Sequence, residues 1–75
     1  MAGLRGEFGR AVRAVRVDRG WTQEQLAEAA ALDRTYISGL ERGSRNPALS
    51  TIERLATALE VKVSTLIVTA EGATN

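Results

Sequence analysis

The 75-residue sequence contains no cysteine and no histidine. It therefore has no disulfide staple and no thiolate or imidazole metal ligand, and any metal would have to be held by carboxylates alone. The same absences leave Asp, Glu, Ser, Thr, Tyr and Arg as the groups from which catalysis would have to be built. No carboxylate pair comes with a base or a pocket, so neither an enzyme nor a cofactor or metal is expected. No apolar run approaches the ~20 residues that span a bilayer, and the N-terminus lacks a signal-peptide apolar region. No membrane partner is expected, and the cytoplasm is the expected compartment. The chain has one tryptophan, one tyrosine and one phenylalanine, too few for a row of stacking platforms along single-stranded nucleic acid. Trp21 is read as a core residue.

Charge is present in both signs, with a net of +1, but the cations are unevenly chosen and placed. Lys62 is the single lysine among ten basic residues. Arg5, Arg10, Arg13, Arg16 and Arg19 recur along the first segment, and Arg34, Arg42 and Arg45 gather around a second. Arginine carries a planar fork of donors that matches phosphates and guanine edges. A GC-rich genome also enriches arginine, and composition alone does not separate the two causes. With 44% hydrophobic and 25% charged residues the chain is ordinary globular material. At this length one domain is expected, burying only about 60% of its unfolded surface.

The periodicity predicts five short helices and no strand, repeat or second domain. Leu4, Phe8, Ala11, Val12 and Val15 mark the first helix, closed at Gly20. In "WTQEQLAEAA", Thr22 and Gln25 form a capping box, with Trp21 and Leu26 as a hydrophobic staple, so the second helix spans Gln23 to about Ala30. Asp33 is the expected N-cap of a third helix that runs to Arg42, with Gly43 beyond it. Two short helices joined by Ala31-Leu32-Asp33 have the shape of a helix-turn-helix. Asn46-Pro47 forces extended backbone, and Ser50 with Glu53 predicts a second capping box opening a fourth helix along Ile52, Leu55, Ala56 and Leu59. Ser64 is expected to open the last helix, with Leu66 and Ile67. The domain is expected to occupy residues 1–68, and residues 69–75 to form a disordered tail.

On a wheel of the third helix, Ile37 and Leu40 define the inward side. Thr35, Ser38, Gly39 and Arg42 fall opposite, with Arg34 and Tyr36 on the flanks. This outer arc is small, polar and cationic, and a mid-helix glycine there costs about 1 kcal/mol relative to alanine. Two explanations stand: something bulky approaches the backbone at Gly39, or Gly39 allows tight packing against the second helix. A DNA major groove, about 12 Å wide, admits such a helix. Arg34, at the helix start, is then placed to reach base edges, and free N–H groups at the start of the second helix, led by Thr22 and Gln23, to hold a phosphate.

The run "WTQEQLAEAAALDRTYISGLERGSRNPALSTIERLATALEV" resembles the helix-turn-helix domain shared by phage repressors (XRE type), bacterial regulators and restriction–modification controller proteins. The likeness covers roughly Phe8 to Ile67. "TQEQLA", "ISGLERG" and "LATALEV" match in order and spacing, and "DRTYISGLERGSRN" is most similar to the controllers. Pro47 is commoner in the wider family. The resemblance implies an all-α, five-helix, lambda-repressor-like fold. It implies base contacts by Arg34 and Thr35, with Tyr36 near sugar–phosphate or central bases. It implies phosphate or backbone contacts by Gln23, Ser38, Arg45 and Asn46, to which Arg42 is added from the wheel and Thr22 from the free N–H groups at the start of the second helix. Tyr36 has packing at the core edge as its alternative role. The resemblance further implies an ion pair between Arg16 and Glu41; a carboxylate in the last turn of a helix opposes the helix dipole, so a nearby cation would compensate it.

Related proteins bind as two-fold dimers. Val63, Leu66 and Ile67 lie beyond the fourth helix's stripe, and are expected to pair across the two-fold axis or else to close the bottom of the monomer. The implied function is a dimeric, sequence-specific regulator of double-stranded DNA. It would occupy a pseudo-palindromic operator, blocking or recruiting RNA polymerase according to position, without a small-molecule effector. The alternative is an antitoxin or adaptor that uses the same fold on a protein partner.

Overall fold

The computed structural model describes residues 3–72. It contains five helices: α1 (Leu4–Asp18), α2 (Gln23–Ala30), α3 (Arg34–Glu41), α4 (Leu49–Leu59) and α5 (Val63–Gly72). None is long and apolar enough to cross a membrane. The all-α, five-helix expectation holds.

Each apolar stripe turns into one core. Val12, Leu26, Ile37, Leu40, Leu55 and Leu66 are fully buried, with Phe8 and Leu59 close to it. Complete burial of such side chains stabilises by roughly 1.5–3 kcal/mol each before entropy is counted. Trp21 and Tyr36 are half-buried and pack against this core. The connections follow the chemistry of their residues. The Thr22–Gln25 capping box is formed: the Gln25 N–H donates to Thr22 Oγ1 at 3.1 Å, and the Thr22 N–H donates to Gln25 Oε1 at 2.8 Å. Gly20 and Gly43 turn the chain after α1 and α3 at φ +77° and +81°, backbone that glycine adopts without a Cβ penalty. Ala31 and Glu60 make the equivalent turns after α2 and α4 at φ 56° and 58° despite carrying a Cβ.

Four local expectations are corrected. Asp33 occupies the N-cap position of α3, yet its side chain makes no capping bond. Ser50 and Glu53 form no capping box: α4 opens at Leu49 from an extended Ala48, so Ser50 already lies inside the first turn, where its backbone is helical and its hydroxyl is misplaced for a cap. The third helix ends at Glu41, with Arg42 as its C-cap. Finally, the segment from Thr69 is not frayed as far as Gly72. Ala70 follows Leu66 by one helical turn and is fully buried, and the Thr69 hydroxyl donates to the Thr65 carbonyl at 2.7 Å. Residues 73–75 of the expected tail lie outside the described residues.

One glycine fixes how α3 sits. A Cβ on Gly9 of α1 would overlap the backbone carbonyl oxygen of Leu40 and lie 3.0 Å from that of Glu41. The last turn of α3 therefore rests directly on the α1 backbone at a point no other residue could occupy without moving a helix.

Candidate nucleic-acid interface

The α2–turn–α3 unit is held from behind by a charged network. Arg16 of α1 donates from Nε to Glu41 Oε2 at 2.7 Å and from Nη2 to Glu41 Oε1 at 2.9 Å, the bidentate geometry that suits a carboxylate. Its third arm, Nη1, donates to the Trp21 carbonyl at 2.7 Å. Gln23 of α2 donates from Nε2 to Glu41 Oε1 at 3.1 Å. Both charged side chains are buried. The hydrogen-bonded Glu41 carboxylate raises the Arg16 pKa above its ordinary value, against the opposing effect of burial. The expected Arg16–Glu41 pair is therefore present and joins α1 to α3, while Gln23 ties in α2. Breaking such a buried pair by removing one partner is strongly destabilising, because the other charge is left buried.

In front of this network the predicted face of α3 is largely open. Arg34, Thr35 and Arg42 are exposed and Ser38 is half-buried. Arg42 Nη1 donates to Ser38 Oγ at 2.6 Å, one turn back along the helix. Asn46 is exposed in the following connection. Arg45 is also exposed, with its guanidinium carbon 5.5 Å from the centroid of the Tyr36 ring. Tyr36 packs on the core edge, the alternative role given for it, and its ring also meets the chain's own Arg45 cation. Thr22 and Gln23 lie at the start of α2, but the Thr22 N–H is not the free donor that was expected, since the capping Gln25 side chain occupies it.

Gly39 settles the question its sequence raised. A Cβ there would lie 3.0 Å from Arg45 Nε, 3.1 Å from Ser44 Oγ and 3.2 Å from Arg45 Cγ. Ser44 donates to the Gly39 carbonyl from both its N–H and its Oγ, at 3.0 Å each. The glycine makes room for the chain's own return turn rather than for α2 or an outside partner, so both expected occupants and its placement on the open arc are corrected.

Six of the arginines separate into two groups. Arg16 and Arg19 are tied down, the latter by Glu60 Oε1 at 2.8 Å, the Leu59 carbonyl at 3.1 Å and the Trp21 ring at 4.5 Å. Arg54 donates to the Ala31 carbonyl at 2.6 Å. Among the described residues, Arg34, Arg42 and Arg45 pair with no carboxylate. They leave one side of α3 with uncompensated positive charge, which attracts an anionic surface.

The dimer expectation needs one correction. Leu66 is fully buried within the single chain, because α5 lies along α1 with its Leu66–Ala70 stripe inward. It closes the monomer. Val63 and Ile67 are half-buried against the core. Ile67 lines an open apolar crevice of about 160 Å³ with Leu4, Phe8, Pro47 and Ile52. Leu4, expected on the inward stripe of α1, is 54% exposed, and three further outward-facing apolar side chains, Val17 at 55%, Leu49 at 70% and Val68 at 64%, were not foreseen from the sequence. The positions of these three off the main helical stripes were the signal. Sequence reasoning also missed Gly9, for which a single sequence holds no signal beyond a glycine inside a helical pattern.

Comparison with known proteins places this geometry. A transcription factor from Neisseria meningitidis, described as hypothetical, is 47% identical over 85% of this chain and 60% of its own length. The control protein C.BamHI of Bacillus amyloliquefaciens is 44% identical over 80% of this chain and 75% of its own. The chain therefore spans less than two thirds of the first relative but three quarters of the second. Among solved structures, the restriction–modification controller protein C.Esp1396I, crystallised as a tetramer in complex with its natural 35 base-pair operator, superposes with a TM-score of 0.86 at 35% identity, covering 96% of this chain and 95% of that one. The family profile described as Helix-turn-helix matches residues 12–66, from within α1 to Leu66 of α5. On that match and those identities, the chain belongs to the helix-turn-helix family, alongside phage repressors and restriction–modification controllers.

Proposed function

We propose that this protein is a sequence-specific regulator of double-stranded DNA, without catalysis, acting in the cytoplasm as a dimer on a pseudo-palindromic operator of the restriction–modification control type. The observation that carries this reading is the exposed cationic side of α3, with Arg34, Arg42 and Arg45 free of carboxylates among the described residues, on a helix whose back is locked to α1 and α2 by Arg16, Glu41 and Gln23. The helix is rigid where a reader must be rigid, and its charge is unspent where phosphates and bases would lie.

Arg34 and Thr35, at the start of α3, are the base readers, with Tyr36 beside them. Thr22, Gln23, Ser38, Arg42, Arg45 and Asn46 surround them as phosphate contacts that fix register. Gln23 has a double role, since its amide already braces Glu41. One such helix reads few bases. Two copies related by a two-fold axis place their α3 helices about 34 Å apart on successive major-groove faces. Val63 and Ile67 remain the proposed pairing residues, joined by the exposed Val68 and Leu49.

Sequencing the fragments selected by the protein from a random duplex pool tests this reading. A two-fold symmetric motif, with affinity that falls steeply as salt rises, is the expected result. Recovery of no enriched sequence would remove it.

A further inference from the structure

We propose that Arg45 is a preset arm, held against the reading side of α3 by a slot whose floor is Gly39 and whose wall is the Tyr36 ring. This makes Tyr36 and Gly39 positioning residues for Arg45, and it rests on the DNA-binding reading above.

The slot is built from both ends of the side chain. Gly43, at φ +81°, turns the chain back over α3, and Ser44 fastens the turn with two hydrogen bonds to the Gly39 carbonyl, each 3.0 Å. The stem of Arg45 then runs through the space a side chain at residue 39 would fill: Cγ and Nε lie 3.2 and 3.0 Å from where that Cβ would be. The guanidinium ends 5.5 Å from the Tyr36 centroid, in the range where a cation is drawn to a ring. Tyr36 is one turn before Gly39 on α3 and packs on the core, so the wall is itself fixed. Stem and head are thus located while the arm stays exposed and pairs with no carboxylate among the described residues. A long side chain normally loses rotamer freedom when it binds, and one already placed loses less. This also accounts for the mid-helix glycine, whose lower helix propensity is exchanged for the position of a cation.

The experiment measures affinity for the selected operator as a function of salt, using the full chain and the variants Arg45→Ala, Tyr36→Phe, Tyr36→Leu, Gly39→Ala and the pairs Tyr36→Leu/Arg45→Ala and Gly39→Ala/Arg45→Ala. Arg45→Ala is expected to flatten the salt slope by about one unit. Tyr36→Leu is expected to weaken binding about two- to five-fold, the range of an exposed cation–π contact, while Tyr36→Phe, which keeps the ring, should lose clearly less than Tyr36→Leu. Neither Tyr36→Leu nor Gly39→Ala should weaken binding further once Arg45 is alanine. Additive losses, or a Tyr36→Phe defect as large as that of Tyr36→Leu, would overturn the slot and give Tyr36 a contact of its own.

A second measurement needs no DNA, and its deciding arm needs no variant. In the free protein, the Arg45 side-chain protons are expected to show ring-current shifts that vanish in Tyr36→Leu. Unshifted Arg45 resonances in the parent overturn the slot outright. Failure to bind any duplex, with those shifts present, would instead overturn the DNA-binding reading and leave the arm in place.

Discussion

The two sides of α3 follow opposite rules. On the inner side every group is spoken for: Ile37 and Leu40 are in the core, Glu41 accepts from Arg16 and Gln23, and the backbone of the last turn rests on Gly9. On the outer side, Arg34 and Thr35 stand exposed and the cations have no acidic partners among the described residues. Eight residues of helix thus serve as a fixed plate behind and an uncommitted surface in front. The difference teaches where substitutions should be felt. Inner changes should cost stability, and outer changes should cost recognition with little effect on stability.

The largest expected effect is therefore behind the helix. Glu41→Ala leaves Arg16 buried without its carboxylate and should destabilise the fold by about 3–5 kcal/mol, read as a lower denaturant midpoint. A loss under about 1 kcal/mol would mean that the pair is solvated in solution. Gly9→Ala comes next. Its new Cβ meets the backbone of α3, which cannot rotate away as a side chain does, and a loss of at least about 1–3 kcal/mol is expected by thermal or chemical unfolding. In front, Arg34→Ala should leave stability within about 0.5 kcal/mol, yet cost about 1–3 kcal/mol of discrimination between the selected operator and single-base variants. An unchanged site preference would take Arg34 out of the readout. The smallest effect, and a gain, is expected at the corner between α2 and α3. Ala31 holds φ 56° with a Cβ, so Ala31→Gly should raise stability by up to about 1 kcal/mol, the conformational relief offset in part by a looser unfolded chain.

Much of the inner side was legible in the sequence, because burial writes itself as periodicity. The positions of Ile37 and Leu40 follow from helical spacing, and the Thr22–Gln25 cap follows from a reciprocal pair of side chains three residues apart. The Arg16–Glu41 pair spans 25 residues and was implied by family resemblance, with the helix dipole as its physical reason. The failures share a cause: each depended on a partner distant in sequence or on where a helix starts. Ser50 and Glu53 have capping chemistry, but α4 starts two residues earlier, with Ala48 as its N-cap after Pro47. Leu66 looked surplus to the α4 stripe because nothing local says that α5 lies along α1. Gly39 was correctly singled out as costly, but its occupant, the Ser44–Arg45 turn, lies on the far side of a glycine bend that a helical wheel does not draw.

The Arg16–Glu41–Gln23 network has a consequence for how operators are measured out. Since α1, α2 and α3 are clamped together, the reading surface moves as one block. In the proposed two-fold pair, the separation of the two blocks would then be set by the proposed seam of Val63, Ile67, Val68 and Leu49. Substitutions in that seam would shift the preferred number of base pairs between half-sites while leaving the letters recognised in each half unchanged.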